Sequence, residues 1–290
     1  MSKNIIIYNA SNEDRLSLRA WPMMFRELVE SRELINRLVM RDMASQVRQS
    51  FLGYLWILLP PVATTVVFSL LRQANIINVP MADGAMPYAL FVLVGTTIWG
   101  LFTQTTIMAT SSIAISGNLV SKIYFPREIL IFSATIRSVI NTAIRIVAVV
   151  AGFIVFLYPV TWQVIFIPVL LVPIVFFAIG LGLLLAPINT MMHDISRMLE
   201  LLFQFGMFLA PTVYPTPALA SADSSWKMLL YLAHNVNPVS HTIHAVQHIL
   251  EHGTVYLDAG FGVATGISFL VFFMGWRFFH ACEPLLAERL

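Results

Sequence analysis

The stretch QVIFIPVLLVPIVFFAIGLGLLLAPI, from Gln163 to Ile188, decides the fold class, because it contains 26 consecutive residues without a charge. About 20 largely apolar residues suffice to cross the hydrocarbon core of a bilayer as a helix. The rest of the chain is similar: 58% of its 290 residues are hydrophobic, 11% are charged, and the mean hydropathy is +0.79. A soluble domain carries about 25% charged residues. We therefore predict a membrane protein.

Six stretches are apolar enough to form transmembrane helices. The predicted fold class is therefore an all-α membrane protein, with a cytoplasmic N-terminal segment at 1–52 and a transmembrane domain at 53–290. The fifth stretch is the shortest. The six are Gly53 to Leu71, Tyr88 to about Ile115, about Leu130 to Leu157, Gln163 to about Ile188, about Met198 to Val213, and Gly260 to about Phe279.

Positive charge predicts the orientation of these spans, because lysine and arginine accumulate in cytoplasmic loops. Eight of the 17 lysine and arginine residues precede the first span, and Lys122 and Arg127 lie in the loop after the second. Arg72 and Lys227 fall on the opposite side. Both termini are therefore predicted to be cytoplasmic, in agreement with an even number of spans.

The segment from Met24 to Met43 has the periodicity of an amphipathic helix. Such a helix can lie in the membrane interface, with its apolar face in lipid and its basic face in water. An ordinary soluble helix has the same pattern. The apolar face contains Leu28, Ile35, Leu38 and Val39, and the other face contains Arg26, Glu30, Glu33, Arg37 and Arg41.

Two short helices are predicted between spans five and six, at Trp226 to Ala233 and Val239 to Leu250. Asn237 and Pro238 break the chain between them. Helices of about ten residues are too short to span. The pair therefore resembles a re-entrant hairpin on the external side, which is tolerated where it is buried in protein or lines a cavity.

Motifs that carry catalysis are absent from the sequence. It contains no Gly-x-x-x-x-Gly-Lys-Ser/Thr loop for phosphate, no His-Glu-x-x-His, no Gly-x-Ser-x-Gly and no Cys/His zinc set. Cys282 is the single cysteine, so the chain can form no internal disulfide. We predict no catalytic residue, no metal site and no cofactor in this chain.

Five of the seven histidines lie between Leu232 and Gly253. Two imidazoles one helical turn apart can hold a transition metal or titrate together as a pH switch. The polar stripe of an exposed helix has the same pattern, and no carboxylate lies at matching spacing. The four histidines on one stripe are His241, His244, His248 and His252.

Arg137 and Arg145 are eight residues apart and share one face of the third span. An ionised arginine in lipid is costly, so each is expected to face the bundle interior, an aqueous path or a partner subunit. They can contact an anionic substrate, or they can pair with backbone carbonyls or extend to the interface. Both interpretations stay open for Arg137, and substrate contact is favoured for Arg145.

The loop GNLVSKIYFPRE, from Gly117 to Glu128, is short, basic and aromatic, and the predicted orientation places it in the cytoplasm. It is either a docking surface for a cytoplasmic partner or an ordinary positively charged connector. Because the chain has no phosphate-binding loop of its own, a docked partner would supply the energy for any active process.

Four motifs follow one another along the chain: Arg41-Asp42 followed by RQSFLGYLW at 48–56, GNLVSKIYFPRE at 117–128, His193-Asp194-Ile195 leading to APTVYP at 210–215, and Asn237-Pro238. In this order they resemble the membrane subunit of ABC exporters of the ABC-2 type, especially permeases for lipid-linked polysaccharides such as O-antigen, teichoic acid or capsule. The resemblance covers about Leu34 to the last span. Two positions depart from the family pattern: His193, where arginine is usual, and Pro60-Pro61, where Asn-Pro is frequent.

The resemblance implies a multi-pass protein of the bacterial inner membrane. Two copies would pair, and each would bind a separate ATPase subunit that holds ATP and magnesium. The substrate would be a lipid-linked glycan, membrane lipid would surround the spans, and no nucleic acid is involved. The loop would couple ATP hydrolysis to transport through Asn118, Lys122, Tyr124, Phe125, Arg127 and Glu128.

The channel would form between the two copies, chiefly from spans one and five. The lipid pyrophosphate would meet basic residues, for which Arg41, Arg48 and Lys122 are the candidates. Aromatic residues near the span ends would pack on the sugar rings, although a belt at the membrane interface has the same composition. These aromatics are Tyr54, Trp56, Phe203, Phe205, Phe208 and Tyr214.

Two other functions fit the sequence. The same type of permease can export a drug or another small hydrophobic substrate. A membrane-embedded transferase acting on lipid-linked sugar would need clustered acidic or histidine residues at the membrane face, and His193 with Asp194 is the one such pair in the sequence.

Overall fold

The computed structural model describes residues 20–48, 50–81, 85–117, 125–215 and 225–289. This part of the chain is helical and contains no strand. Five of its segments are long and apolar enough to cross a membrane. In chain order the helices are α1 Ala20–Glu30, α2 Arg32–Val47, α3 Leu55–Gln73, α4 Tyr88–Ile115, α5 Glu128–Val155, α6 Ile167–Leu170, α7 Val172–Met191, α8 Asp194–Gly206, α9 Ser225–Val236, α10 Pro238–His252 and α11 Ala259–Arg289.

The predicted N-terminal amphipathic helix is two helices, α1 and α2, separated by a turn at Ser31. Its charged face carries two ion pairs between residues four positions apart. Arg26 Nε lies 2.7 Å from Glu30 Oε1, and Arg37 Nη2 lies 2.7 Å from Glu33 Oε1. The sequence predicted that its apolar face lies in lipid, but part of that face is buried inside the protein. Ile35, Leu38 and Val39 are buried in a core shared with α5 and α11, because the protein itself covers that face.

Helix α4 is the centre of the bundle. Within the apolar segment of α4, 72% of the residues are buried inside the protein, whereas only 17% of the residues are buried in the apolar segment of α3. Helices α3, α5 and α7 pack around it, and α10 lies against its first turns. Its bounds, Tyr88–Ile115, are those predicted from the sequence.

Helices α7 and α11 cross with their backbones in contact. A Cβ atom added at Gly180 would lie 2.6 Å from the backbone nitrogen of Phe272, and one added at Gly275 would overlap the carbonyl oxygen of Gly180. Small residues allow such an approach in membrane proteins, where close packing stabilises helix pairs. These two glycines therefore fix the distance between α7 and α11.

The fourth and sixth apolar stretches differ from the prediction in their detail. The fourth begins with a 3₁₀ helix at Trp162–Phe166, continues through α6 and becomes regular only in α7. Helix α11 continues to Arg289, well beyond the predicted end near Phe279. Its last turns therefore extend past the apolar segment, which ends at Glu283.

The predicted fifth span forms helix α8 and a following 3₁₀ helix, Met207–Leu209. Helix α8 has 13 residues, so it covers about 20 Å, less than the roughly 30 Å of the hydrocarbon core. The helix starts at the end of the bundle where α7 ends, but Gly206 at its end lies beside Trp99, near the middle of α4, and the chain reaches the start of α4 only at Val213. The Ser196 hydroxyl donates to Asn189 Oδ1 near its start, and the Tyr88 hydroxyl donates to the carbonyl of Val213 after its end.

Helices α9 and α10 form the predicted short pair at the end of the bundle where α4 begins, which we call the far end. Asn237 caps α10 by accepting a hydrogen bond from the Val239 amide at 3.1 Å. Gly253 ends α10 in the left-handed conformation, with φ of 66°. Gln247 joins α10 to the bundle by donating to the carbonyls of Phe91 and Pro211.

Candidate functional site

The coupling-loop prediction falls only partly on described residues. Asn118, Lys122 and Tyr124 lie outside them. Phe125 is buried and belongs to the hydrophobic cluster that also contains residues of α1, α2 and α11. We call the end of the bundle that carries this loop the loop end.

Glu128 lies at the start of α5 and is bound on both carboxylate oxygens. Trp276 Nε1 donates to Oε2 at 2.7 Å, and His280 Nδ1 lies 3.0 Å from Oε1. Because a carboxylate only accepts, the proton of this bond is assigned to His280 Nδ1. All three side chains are buried, so Glu128 is an internal contact between α5 and α11.

Arg127 extends the same junction. Its Nη1 donates to the carbonyl of Glu283 at 2.7 Å, and its backbone amide donates to Glu283 Oε1 at 3.3 Å. We call Arg127, Glu128, Trp276, His280 and Glu283 the Glu128 cluster. The cluster ties the last residues of the loop to α11, and the sequence prediction missed the three members from α11. A histidine and a glutamate one turn apart in an apolar helix were the available signal.

A polar pocket of about 330 Å³ lies between α2, α4 and α5 at the loop end. Asp42 is its centre, because its Oδ1 lies 2.8 Å from Arg41 Nη2 and its Oδ2 lies 3.2 Å from Arg137 Nη1. We call it the Arg41–Arg137 pocket. Its lining is completed by Ser45, Ser112, Ile115, Ser116, Leu130, Ser133 and Ala134.

The prediction grouped Arg41 with Arg48 and Lys122, but the described residues bring Arg41 to Arg137 instead. Arg48 is exposed at the end of α2 and is not part of the pocket lining. Lys122 lies outside the described residues. The Arg41-Asp42 motif was visible in the sequence, but its contact with α5 was not.

Arg145 is buried and donates through Nε to the carbonyl of Ile57 at 3.3 Å. That carbonyl would normally accept from residue 61 of α3, but Pro61 has no N–H. A Cβ atom on Gly100 would overlap Arg145 Nη1, so the glycine makes room for the guanidinium. Arg145 thus adopts one of its two predicted arrangements, pairing with a backbone carbonyl.

The predicted pathway aromatics divide into residues that make contacts within the protein and residues that face outward. Phe203 packs against Trp99 and Phe102, and its carbonyl accepts from Trp99 Nε1 at 3.2 Å. The Tyr214 hydroxyl donates to the carbonyl of Phe208. Outward-facing aromatic surface comes from α3 and from the segment of α8 with its 3₁₀ extension, through Tyr54, Trp56, Phe205 and Phe208.

The histidine stripe is not a uniformly exposed polar face. His241 is buried, its Nε2 lies 3.0 Å from the carbonyl of Asn235, and its Nδ1 lies 3.6 Å from Asp258 Oδ2. No carboxylate lies at matching spacing along the helix, but the fold brings Asp258, from the segment between α10 and α11, to His241. His252 is exposed. Among the described residues, no group of three or more His, Cys, Asp or Glu side chains is placed to hold a metal ion.

His234 on α9 faces this stripe, with its ring 5.7 Å from that of His241. Its pKa is lowered to about 4, first by burial, then by His241 and His244, while Asp258 opposes the shift. Burial also lowers the pKa of His244. Both residues are therefore neutral at neutral pH.

Acidification from about pH 7.5 to about pH 5 is expected to loosen α9 and α10. A histidine whose folded pKa lies below its unfolded value of about 6.5 gives full stability above that value and loses it as the pH falls toward the folded pKa. For His234 the loss is about 2 kcal/mol at pH 5. Amide hydrogen exchange in α9 and α10, corrected for intrinsic rates, measures it. His234→Gln should flatten the response, and equal protection at both pH values would contradict the assignment.

The contacts together define a multi-span membrane protein with a charged pocket and an anchored loop at one end. A model of the ABC-2 type transporter family matches residues 33–250, and the chain belongs to this family. Its members are membrane subunits of transporters.

Two curated relatives carry a more specific name. The chain is 28% identical over 207 residues to the O-antigen export system permease protein RfbA of Myxococcus xanthus, covering 71% of this chain and 77% of that protein. It is 23% identical over 264 residues to the O-antigen export system permease protein RfbA of Klebsiella pneumoniae, covering 89% of this chain and 95% of that protein.

Proposed function

We propose that this protein is the membrane-spanning subunit of an exporter that moves a lipid-linked polysaccharide, of the O-antigen, capsule or teichoic-acid kind, across the bacterial inner membrane. The observation that carries the proposal is the similarity to two O-antigen export permeases, which extends over 77% and 95% of their lengths. The chain is a transport subunit, and its own sequence has no phosphate-cradling loop.

The energy would come from two copies of a separate ATPase that binds ATP and magnesium. We propose that it docks on the loop at 117–128, with Lys122 as a positively charged contact. The Glu128 cluster supports this role, because it links the end of the loop to α11 by hydrogen bonds. A movement of the loop would therefore be transmitted to the helix bundle. Phe125, Arg127 and Glu128 would then hold the loop in place from the inside.

We further propose six crossings with both termini in the cytoplasm. Helix α8, its extension and residues 210–213 would together form the fifth crossing, since this segment runs from the loop end to the far end although α8 itself is short. The loop end would be cytoplasmic, and α9 and α10 would be re-entrant elements on the external side. The charge distribution of the sequence favours this orientation.

Two copies would pair with α3 and α8 facing the pathway. Both helices keep large apolar side chains outward, including Trp56 at 55% and Phe205 at 62% exposure. The rings of Phe68 and Phe208 lie 6.1 Å apart, so the two outward faces adjoin. Such a face is suited to packing on a second copy or on the apolar faces of sugar rings.

Deletion of the gene is expected to remove the surface polysaccharide and to leave lipid-linked glycan inside the cell. Loss of surface glycan, measured on extracted polysaccharide, supports the proposal. Drug sensitivity with normal surface glycan would instead indicate a permease for small hydrophobic compounds. Sugar transfer by the purified protein without any ATPase would indicate a transferase.

Complementation of the deletion strain tests the coupling loop. Lys122→Glu should fail to restore the polysaccharide and should not co-purify with the ATPase, because it reverses a charge on the proposed docking surface. Arg37→Glu is a matched control, since Arg37 is exposed on α2 and, among the described residues, forms its ion pair with Glu33 one turn away. Undiminished co-purification of Lys122→Glu would refute docking at this residue.

A further inference from the structure

The Arg41–Arg137 pocket carries an unused donor. Arg137 Nε is buried and has no hydrogen-bond partner among the described residues, although Nη1 pairs with Asp42. A buried donor without a partner costs about 1–3 kcal/mol and calls for a ligand or water. Three serine hydroxyls of the lining, those of Ser45, Ser112 and Ser133, already donate to carbonyls of their own helices. The arginines are therefore the main free donors.

The pocket also has an excess of positive charge. The charged residues in its described lining are Arg41, Arg137 and Asp42, which sum to one positive charge. Asp42 is shared between both arginines, so neither guanidinium has a carboxylate of its own. Guanidinium groups bind phosphate through paired, charge-assisted hydrogen bonds. A single phosphate would balance the charge of the pocket and occupy Arg137 Nε.

The position of the pocket further restricts the class of ligand that it can bind. Ser112 lies in the last turn of α4 and Ser116 just follows it, where the apolar stretch ends. Ile115, which belongs to the pocket lining, is exposed and apolar, so apolar outer surface adjoins the pocket. The headgroup phosphates of a bilayer lie at this level. A volume of about 330 Å³ equals about ten waters, enough for a phosphate or diphosphate with its ester.

We propose that the Arg41–Arg137 pocket binds the phosphate headgroup of a membrane lipid, with Arg137 as the central contact. Two lipids have this chemistry: a phospholipid and a polyprenyl diphosphate. In the second case the inference deepens the proposed function, on which that case rests, and places the diphosphate on α2 and α5. Arg41 turns toward the ligand from Asp42, and Arg48, which is exposed at the end of α2, does not contact it.

Native mass spectrometry of the purified permease, without ATPase or glycan, tests the site. Undecaprenyl diphosphate and phosphatidylglycerol are titrated separately. Arg137→Gln is expected to weaken binding by about tenfold or more, as loss of a charge-assisted pair does. Arg37→Gln, on the exposed face of α2, should bind like the wild type. A loss restricted to the diphosphate identifies the substrate carrier, and a loss restricted to phosphatidylglycerol identifies a bilayer phospholipid.

A second variant separates binding from a merely structural effect. Asp42→Asn keeps the shape of the side chain but removes the carboxylate that competes for both arginines. It is expected to tighten lipid binding several-fold, a change that damage to the fold would not produce. The proposal is overturned if Arg137→Gln binds both lipids like the wild type, or if Asp42→Asn weakens binding as Arg137→Gln does. Failure of glycan export in cells would bear on the proposed function and leave this binding result unaffected.

Discussion

Replacing Glu128 with alanine is expected to lower the free energy of unfolding by about 3–5 kcal/mol, because it removes one partner from a buried polar network. The change leaves Trp276 Nε1 and His280 Nδ1 buried without an acceptor. It also separates the start of α5 from α11. We expect a lower thermal midpoint of the purified protein and, where protein survives, loss of transport.

Two variants calibrate this effect. Glu128→Gln keeps one carbonyl acceptor, so its loss of stability should be roughly half as large. Glu33→Ala removes a carboxylate from an exposed pair with Arg37, where both side chains are 76% exposed, and should change stability by less than about 0.5 kcal/mol. If Glu128→Ala melted with the wild type, the Glu128 cluster would not be a structural junction.

Replacing Gly275 with alanine is expected to destabilise the bundle by about 1–3 kcal/mol, as overpacking of a close interface does. The added methyl would overlap the carbonyl oxygen of Gly180, and a backbone atom cannot move aside as the tip of a side chain can. Helices α7 and α11 would have to separate along their length. Thermal unfolding in detergent, followed by loss of the folded monomer peak, measures the effect.

The same substitution elsewhere in α11 provides the control. A Cβ atom at Gly262 would meet nothing within 4 Å. Gly262→Ala should therefore be neutral or slightly stabilising, by up to about 1 kcal/mol, since alanine favours helix more than glycine does. Equal midpoints for Gly275→Ala and Gly262→Ala would contradict the backbone contact between α7 and α11.

The long apolar helices were predictable from the sequence, because length and hydropathy alone define them. Helix α4 has its predicted bounds, and α3 and α5 differ from theirs by two residues at each end. The sequence did not predict the turn at Ser31. The helical spacing of apolar residues continues across it, and no Pro or Gly lies at the turn. The long extension of α11 was missed because its polar end resembles a loop in composition.

The candidate site was less predictable, because it depends on contacts between distant residues. Glu128 and His280 are 152 positions apart, and Asp42 and Arg137 are 95 apart, so no local pattern joins them. For Arg145 the sequence favoured substrate contact, and its hydrogen bond to the Ile57 carbonyl, with Pro61 one turn on, could not be predicted from the sequence. The sequence shows no carboxylate at the spacing of the histidine stripe, whereas the fold places Asp258 beside His241.

Reconstitution of the protein with the proposed ATPase in proteoliposomes tests whether it exports lipid-linked polysaccharide. Lipid-linked polysaccharide is placed on the ATPase side, and its arrival on the other side is followed with a lectin or antibody that cannot cross the membrane. We expect movement that requires ATP, magnesium and both proteins. Movement that is independent of ATP, or no movement of the glycan while the same vesicles transport a small hydrophobic compound on ATP addition, would contradict it.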